Sequence, residues 1–477
     1  MKRTIRNTAA VLLCAAISVC ALWFANRVLM VKSTEGITTM QDFYAQERDT
    51  VDVLLLGSSH CGINLDTATL WSEYGMASYA LWGGMQPFWN TYHFLVEALK
   101  TQTPKAVVLE AFAATFEFDD EFDESKQITN TAGMRLSRNK WEAVKVSAPK
   151  EKWLDVFFGL PQYHERFSEL VRDDYMHFPW TDGLINDKGS LPRYGTGNVT
   201  LKDVSDIEEV AQIHGKEEAY LRKIIELCQL KGIPILLFKT PMKGAWQREQ
   251  QSVYNRVAQI AQEYGVPFCN LNLMWQELGF SGADFDVDNS HLNIEGARKS
   301  TLRLGQELQK LCEIPDRRGE ARYASWEENA RRIQYPNLYD IPTAQNLIRE
   351  LKNRDWALFF ATTGRADEDA AELLKPLGVP DFLQEGKQAW LLTSTQQGEW
   401  IEGTQNDALL EAGMDGLHVS AEIGEYYTWV GANAFELSDL HGSDILLAVF
   451  DVNTKKCADI IRLKSDAGWA PEHLGHE

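Results

Sequence analysis

Residues 51–311 alternate between two kinds of segment, and that alternation limits the fold more than any other feature of the chain. Short apolar, β-rich runs ("VDVLLLG", "ASYALWG", "KAVVLEAF", "IPILLFKTP", "VPFCNLN") are separated by segments with helical spacing ("TATLWSEYG", "QPFWNTYHFLVEALKTQ", "KEEAYLRKIIELCQLKG", "QQSVYNRVAQIAQEYG"). Runs with little polar character suit strands covered on both faces, and strands that alternate with helices form a parallel sheet. Several helical segments end in glycine, the residue that most readily takes the left-handed turn closing a helix. The pattern predicts an α/β domain with a parallel sheet. In such sheets ligands bind at the carboxyl ends of the strands.

The first strand runs straight into "GSSH". As a loop the turn is ordinary, since Gly and Ser are common turn residues. As chemistry it is a nucleophile elbow, in which a strand end presents a serine for acyl transfer. A serine needs a base for its proton and a carboxylate to hold the imidazole in the right tautomer. "FDVDNSHLNIEGARKSTLRL", after the last strand pattern, supplies both: Asp288 and His291 stand three apart, just before a helix. Together the two segments predict a Ser-His-Asp site. No His-x-x-x-His motif or carboxylate cluster accompanies it, so neither a metal nor another cofactor is expected.

With 47 Lys and Arg against 68 Asp and Glu, the formal net charge is -21. Nucleic acid is therefore not an expected partner, because phosphate binding needs a basic surface. The N-terminus is different in kind. Lys2, Arg3 and Arg6 precede an uncharged, mainly apolar run over 8–25, long enough to cross a bilayer as a helix. No small-x-small site ends the run, and neither Cys14 nor Cys20 follows the small residue of a lipoprotein signal, which favours an uncleaved anchor over a cleaved signal. The flanking charge orients the N-terminus to the cytoplasm and the remainder outside, giving a single-pass protein of the cell membrane. The other five cysteines are scattered without a C-x-x-C pair, which suits neither a disulfide framework nor a zinc site.

The expected organisation is an anchor over 1–32, an α/β domain over 33–315 with a helical insertion over about 115–213, and an α+β, β-rich domain over 316–477. The insertion is rich in aromatic and charged residues and reads as a cap. Its "DDEFDE" run reads as a solvated acidic loop. Arg135 and His164 lie in it and are candidates for facing substrate, as are Ser58 and His60 in the turn itself, although a plain turn histidine is the simpler reading of His60. His93 reads as helix packing, and Glu110 is a site candidate only because it ends a buried strand.

Over roughly residues 50–312 the chain resembles the SGNH (GDSL-like) hydrolases, whose first and last sequence blocks are a strand followed by Gly-x-Ser and an Asp-x-x-His after the last strand. The resemblance implies a flavodoxin-like three-layer sandwich with Ser59 as nucleophile, His291 as base and Asp288 as its orienting acid. It implies an oxyanion hole from the Ser59 backbone N–H and from Gly83 or Gly84 in "LWGGMQPFW". Two positions depart from the family: Ser58 replaces its aspartate, and "LEAFAATF" lacks its Gly-x-Asn-Asp block. Gln86 carries an amide that can take the place of the missing asparagine. The anchor, the insertion and the Gly-Ser-Ser turn look like the membrane-tethered branch of bacterial envelopes, which includes the D-alanyl transfer protein of teichoic acid and exopolysaccharide acetylation proteins. That branch implies removal or transfer of acyl groups on an envelope glycan beside a membrane-bound O-acyltransferase. The alternative is a degenerate domain serving as a glycan-binding scaffold. The C-terminal segment faintly resembles the interleukin-like (FAM-three) domain and reads as an accessory, glycan- or protein-binding unit.

Overall fold

The computed structural model describes residues 2–31, 34–116, 124–170, 174–175, 188–193, 196–334, 338, 341, 343–353, 355–362, 366–383, 388–406, 409–414, 417–423, 428–432, 435–440, 445–452, 457–464 and 468–475. The "DDEFDE" run lies outside these except for Glu124. The chain divides into two units, Met1–Ala330 and Arg331–Glu477.

Five parallel strands form the centre of the first unit: β1 (Val53–Gly57), β2 (Ser78–Trp82), β3 (Ala106–Glu110), β4 (Ile235–Lys239) and β5 (Phe268–Asn270), in the order β2-β1-β3-β4-β5. The sheet is thus α/β and doubly wound, with its reversal between β1 and β3. At such a switch point the loops leaving two neighbouring strands part to opposite faces and leave a crevice. The first four strands are buried along their whole length, as their unbroken apolar runs require. Helix α4 (Thr67–Tyr74) packs with α12 (Ile294–Leu311), and α5 (Phe88–Ala98) with α10 (Gly215–Lys231). Val53, Leu55, Val108 and Phe238 share one core cluster with Leu304 and Leu308 of α12. Asp66 caps α4 by accepting from the Ala68 and Thr69 N–H groups, and Gly75 closes it at φ 66°.

Helix α1 (Lys2–Leu29) contains a 23-residue stretch, Asn7–Leu29, long and apolar enough to cross a membrane, and none of its most apolar window is covered by the rest of the protein. Helix α2 (Thr39–Ala45) follows and packs against β2. The insertion between β3 and β4 is helical where described: α6 (Glu124–Ala132), α7 (Arg138–Ser147), α8 (Trp153–Phe158) and α9 (Leu160–Tyr163). The unit continues past residue 315. Arg317 pairs with Asp52 at 2.8 Å, and Trp326, on α13 (Ala324–Gln334), donates to the Ser78 carbonyl at 2.8 Å.

In the second unit, helices α14 (Ala344–Asn353) and α15 (Glu368–Leu374) accompany, among the described residues, eleven strands in two sheets. The first is β16-β15-β14-β6-β7-β8: β6 (Trp356–Thr362), β7 (Gln388–Leu392), β8 (Trp400–Glu402), β14 (Ile445–Asp451), β15 (Cys457–Lys464) and β16 (Ala470–Gly475). The second runs β13-β12-β11-β10-β9, from β9 (Thr404–Asn406) and β10 (Leu409–Met414) through β11 (Leu417–Ile423) and β12 (Thr428–Ala432) to β13 (Phe435–Leu440). Alternation along β6 sends Leu358 and Phe360 toward the helices and Phe359 and Ala361 toward Leu417 and Val419 of the second sheet. The first sheet is therefore covered on both faces.

Candidate active site

Ser59 is the first residue of the short helix α3 (Ser59–Asn64), two positions beyond the end of β1. The intervening turn depends on Gly57, which sits at φ 156°. A Cβ there would meet the Glu110 Cβ at 2.9 Å and the Cys61 Cβ at 3.1 Å. A side chain would block the turn from both sides. The strand is rigid and buried, so the serine is held at the carboxyl end of an interior strand.

Asp288 and His291 lie in a loop pinned on three sides. Phe285 and Leu292 form a β-bridge across it, and the Asp286 N–H donates to the His291 carbonyl at 2.9 Å. Asn289 takes φ 54°, a conformation Asn tolerates better than most residues. Asn293 then caps α12 through its side chain. The third tie is Asn64, at the end of the serine's own helix: its Oδ1 accepts the Leu292 N–H at 2.9 Å. Returning from the insertion, Leu191 donates to the Gly62 carbonyl and Arg193 accepts from Ile294, each at 2.7 Å. That segment joins α3 to the start of α12.

The three side chains meet. Ser59 Oγ lies 2.9 Å from His291 Nε2, and His291 Nδ1 lies 2.6 Å from Asp288 Oδ2. Asp288 Oδ1 accepts the Ser290 N–H at 2.8 Å and the His291 N–H at 2.9 Å. Burial works to raise the Asp288 carboxyl. The hydrogen bonds from the His291 ring and from the two backbone N–H groups outweigh it and hold the group well below the usual carboxylate range. A carboxylate only accepts, so Nδ1 carries the ring proton and Nε2 presents its lone pair to the Ser59 hydroxyl. The arrangement can take a proton from Ser59 Oγ and return it to a leaving group.

A second layer lies behind it, buried throughout except for the half-buried Phe112. His60 stacks on Phe112 with ring centroids 3.9 Å apart and lies 5.2 Å from the His291 ring. Its Nδ1 accepts from Asn64 and from Lys239, both at 3.2 Å. Burial, then the charges of Lys239 and His291, push His60 well below its ordinary value, so the ring stays neutral. Lys239, ending β4, makes an ion pair with Glu110, ending β3, at 2.7 Å with neither side chain exposed. Burial pushes the Lys239 ammonium down, and the Glu110 charge and hydrogen bond oppose that. Glu110 also accepts the Phe112 N–H at 2.9 Å.

The oxyanion candidates divide. The β1–β2 register ends at Gly57–Trp82, so the chain leaves the two neighbouring strands at Ser58 and at Gly83, on the same end of the sheet. Among the described residues, the backbone N–H groups of Ser59, Gly83 and Gly84 have no acceptor. They are free donors at one end of the sheet. Gln86 does not join them: its NH2 group turns inward to Thr91 Oγ1 at 3.1 Å, and its carbonyl oxygen, without a partner among the described residues, lies against Gly83. Asn130 of α6 lies against the same glycine and donates to the Gly84 carbonyl at 3.1 Å.

The substrate candidates fare differently. Ser58 is buried, its hydroxyl without a partner among the described residues, and His60 faces the buried layer rather than an opening. Arg135 lies over the Tyr44 ring at 4.1 Å and exposed His164 bonds the Pro161 carbonyl at 2.6 Å; among the described residues neither has a hydrogen bond, ion pair or ring contact with Ser59, Asp288 or His291. His93 is buried and bonds Asn139, as packing predicts. Sequence reasoning missed Asn64, Lys239 and Asn130. For Lys239 a signal existed: "LLFK" and "VVLE" are apolar strands that end in opposite charges. Among the described residues no group of acidic, Cys and His side chains could hold a metal ion. The chain matches no protein-family model, no curated protein and no solved structure.

Proposed function

We propose that the first unit is a serine acyl-enzyme of the SGNH type, with Ser59 as nucleophile, His291 as general base and Asp288 as the residue that orients it. The observation that carries the reading is the continuous chain Ser59 Oγ–His291 Nε2, 2.9 Å, and His291 Nδ1–Asp288 Oδ2, 2.6 Å, at the carboxyl end of a central strand. Ser59 Oγ attacks the ester carbonyl as its proton passes to His291 Nε2, and the carbonyl oxygen gathers charge toward the free N–H groups of Ser59 and Gly83 or Gly84. Collapse returns the proton to the departing alcohol and leaves the acyl group on Ser59. Water or a second hydroxyl, deprotonated by His291, then takes that group. The strand order β2-β1-β3-β4-β5, that of flavodoxin-like three-layer sandwiches, favours the family reading.

The substrate class is an acyl ester on a glycan of the cell envelope, α1 is the anchor that holds the domain outside the membrane, and a membrane-bound O-acyltransferase is the expected neighbour. The second unit serves as an accessory binding domain. The competing reading, a scaffold that has lost catalysis, draws on Gln86, which presents its oxygen rather than its NH2 group beside Gly83. The test is a fluorophosphonate label on the full chain, with p-nitrophenyl acetate turnover beside it. Labelling that Ser59→Ala abolishes supports the acyl-enzyme. An unlabelled, folded wild type overturns it in favour of the scaffold.

A further inference from the structure

A cavity of about 470 Å³ lies where α1 joins the first unit, between the last turns of that helix, α2 and the insertion helices. Arg27, Arg135 and Lys140 line it, with no carboxylate among the lining residues; Trp23, Tyr44 and Phe158 are its aromatic walls. Lys140 is the unusual member. The residue is 3% exposed, it borders the cavity, and among the described residues its ammonium has no hydrogen-bond or ion-pair partner. Burial pushes the group down to about 8, as expected of a cation taken from water without a counter-charge. Arg135 is fixed over the Tyr44 ring, and Arg27 donates to Gln41 at 3.3 Å. Both cations are therefore positioned before any ligand arrives.

The surroundings indicate where that ligand comes from. Leu136, Leu154, Phe158 and Phe167 on the insertion are each more than half exposed, and Leu136 and Phe158 border the cavity itself. Large apolar side chains that leave the protein surface beside the end of a membrane-length helix have a natural place among acyl chains. Trp and Arg at such a helix end sit at headgroup level.

We propose that this cavity binds the phosphate of an anionic phospholipid, with the exposed apolar side chains of the insertion resting in the same leaflet. A phosphate presents acceptors to guanidinium and ammonium groups together and supplies the charge that Lys140 lacks. The inference rests on reading α1 as a span and is independent of the catalytic reading. It gives the insertion a task at the membrane: it sets the domain's height and tilt there.

The test uses the full chain, purified in detergent, stripped of lipid and titrated with phosphatidylglycerol, phosphatidylcholine or inorganic phosphate, with bound lipid counted by native mass spectrometry. Phosphatidylglycerol should bind the wild type and Lys140→Arg alike and Lys140→Met about ten- to a hundredfold more weakly, the range for losing one charge-assisted hydrogen bond. Equal binding by wild type and a folded Lys140→Met overturns the site. So does displacement of the lipid by inorganic phosphate at equal concentration, which would mark a free-anion site, or equal affinity for phosphatidylcholine. If Lys140→Met fails to fold, Arg135→Gln at an exposed position takes its place, with weakened binding in support and undiminished binding against. Release of the chain from membranes by alkaline wash would undo the span separately, whatever the lipid titration gives.

Discussion

Replacing Asp288 by Asn tests the candidate site most sharply, because it changes charge and donor pattern with almost no change of shape. Asp288 Oδ1 already holds two backbone N–H groups, at 2.8 and 2.9 Å, and the amide oxygen of Asn can keep both. The NH2 group then faces His291 Nδ1, where Oδ2 now stands at 2.6 Å. Nδ1 must become the acceptor, so the ring proton moves to Nε2 and points at Ser59 Oγ. The base is lost while the geometry remains. In other Ser-His-Asp sites that tautomer change lowers kcat about 10⁴-fold, or about 5.4 kcal/mol at 1.36 kcal/mol per tenfold. The assay is p-nitrophenyl acetate turnover by the full chain, with Ser59→Ala as baseline; KM should change little. An Asp288→Asn enzyme that keeps more than a tenth of wild-type kcat refutes the role given to the carboxylate. Stability against pH offers a second reading. The Asp288 pKa is depressed in the folded protein, so its contribution is present above about pH 4, the unfolded value, and is lost as pH falls through the lower folded value. The variant lacks that acid dependence. The difference is small, because the side chain is 41% exposed.

Two further perturbations address the layer behind the site. Lys239→Met or Glu110→Gln alone leaves one buried charge unpaired and should cost about 3–5 kcal/mol in urea unfolding, whereas the double variant should recover more than half; a double variant as unstable as the two singles summed would show that the pair is not coupled. Asn64→Ala strands the Leu292 N–H and removes a donor to His60, so it should cost about 1–3 kcal/mol and lower kcat more than it alters KM. Unchanged turnover in a folded Asn64→Ala chain would remove Asn64 from the positioning of His291.

The elements legible in the sequence were those whose cause is local. The strands from β1 to β5 announce themselves because a strand covered on both faces has little room for polar residues, and the runs ending at Gly57 and Trp82 stop where the sheet does. Ser59 stood out because it follows a strand directly, and Asp288 and His291 because they stand three apart just before a helix. The supporting residues did not, since their meaning depends on which strands are neighbours. Glu110 was noticed alone, yet its partner Lys239 follows only after the whole insertion, and nothing local says that β3 lies beside β4. Asn130 is similar: within α6 it is an ordinary polar residue, and only the close approach of α6 to Gly83 gives it a role. Gln86 shows the converse failure. Its amide suggested a donor, but Thr91, five residues on, takes the NH2 group.

The separation of the site's parts along the chain has a consequence for biogenesis. Ser59 and His291 are 232 residues apart, and β1, which delivers the serine, lies inside the sheet, while the loop bearing the base follows β5 at its edge. During synthesis α1 and Ser59 emerge early, whereas His291 arrives only after every strand of the first sheet has been made. Contacts between such distant segments form late in folding. On the proposed acyl-enzyme reading, a nascent or truncated chain ending before residue 288 carries a serine with no base to activate it, and reactivity would then report that the domain has been completed.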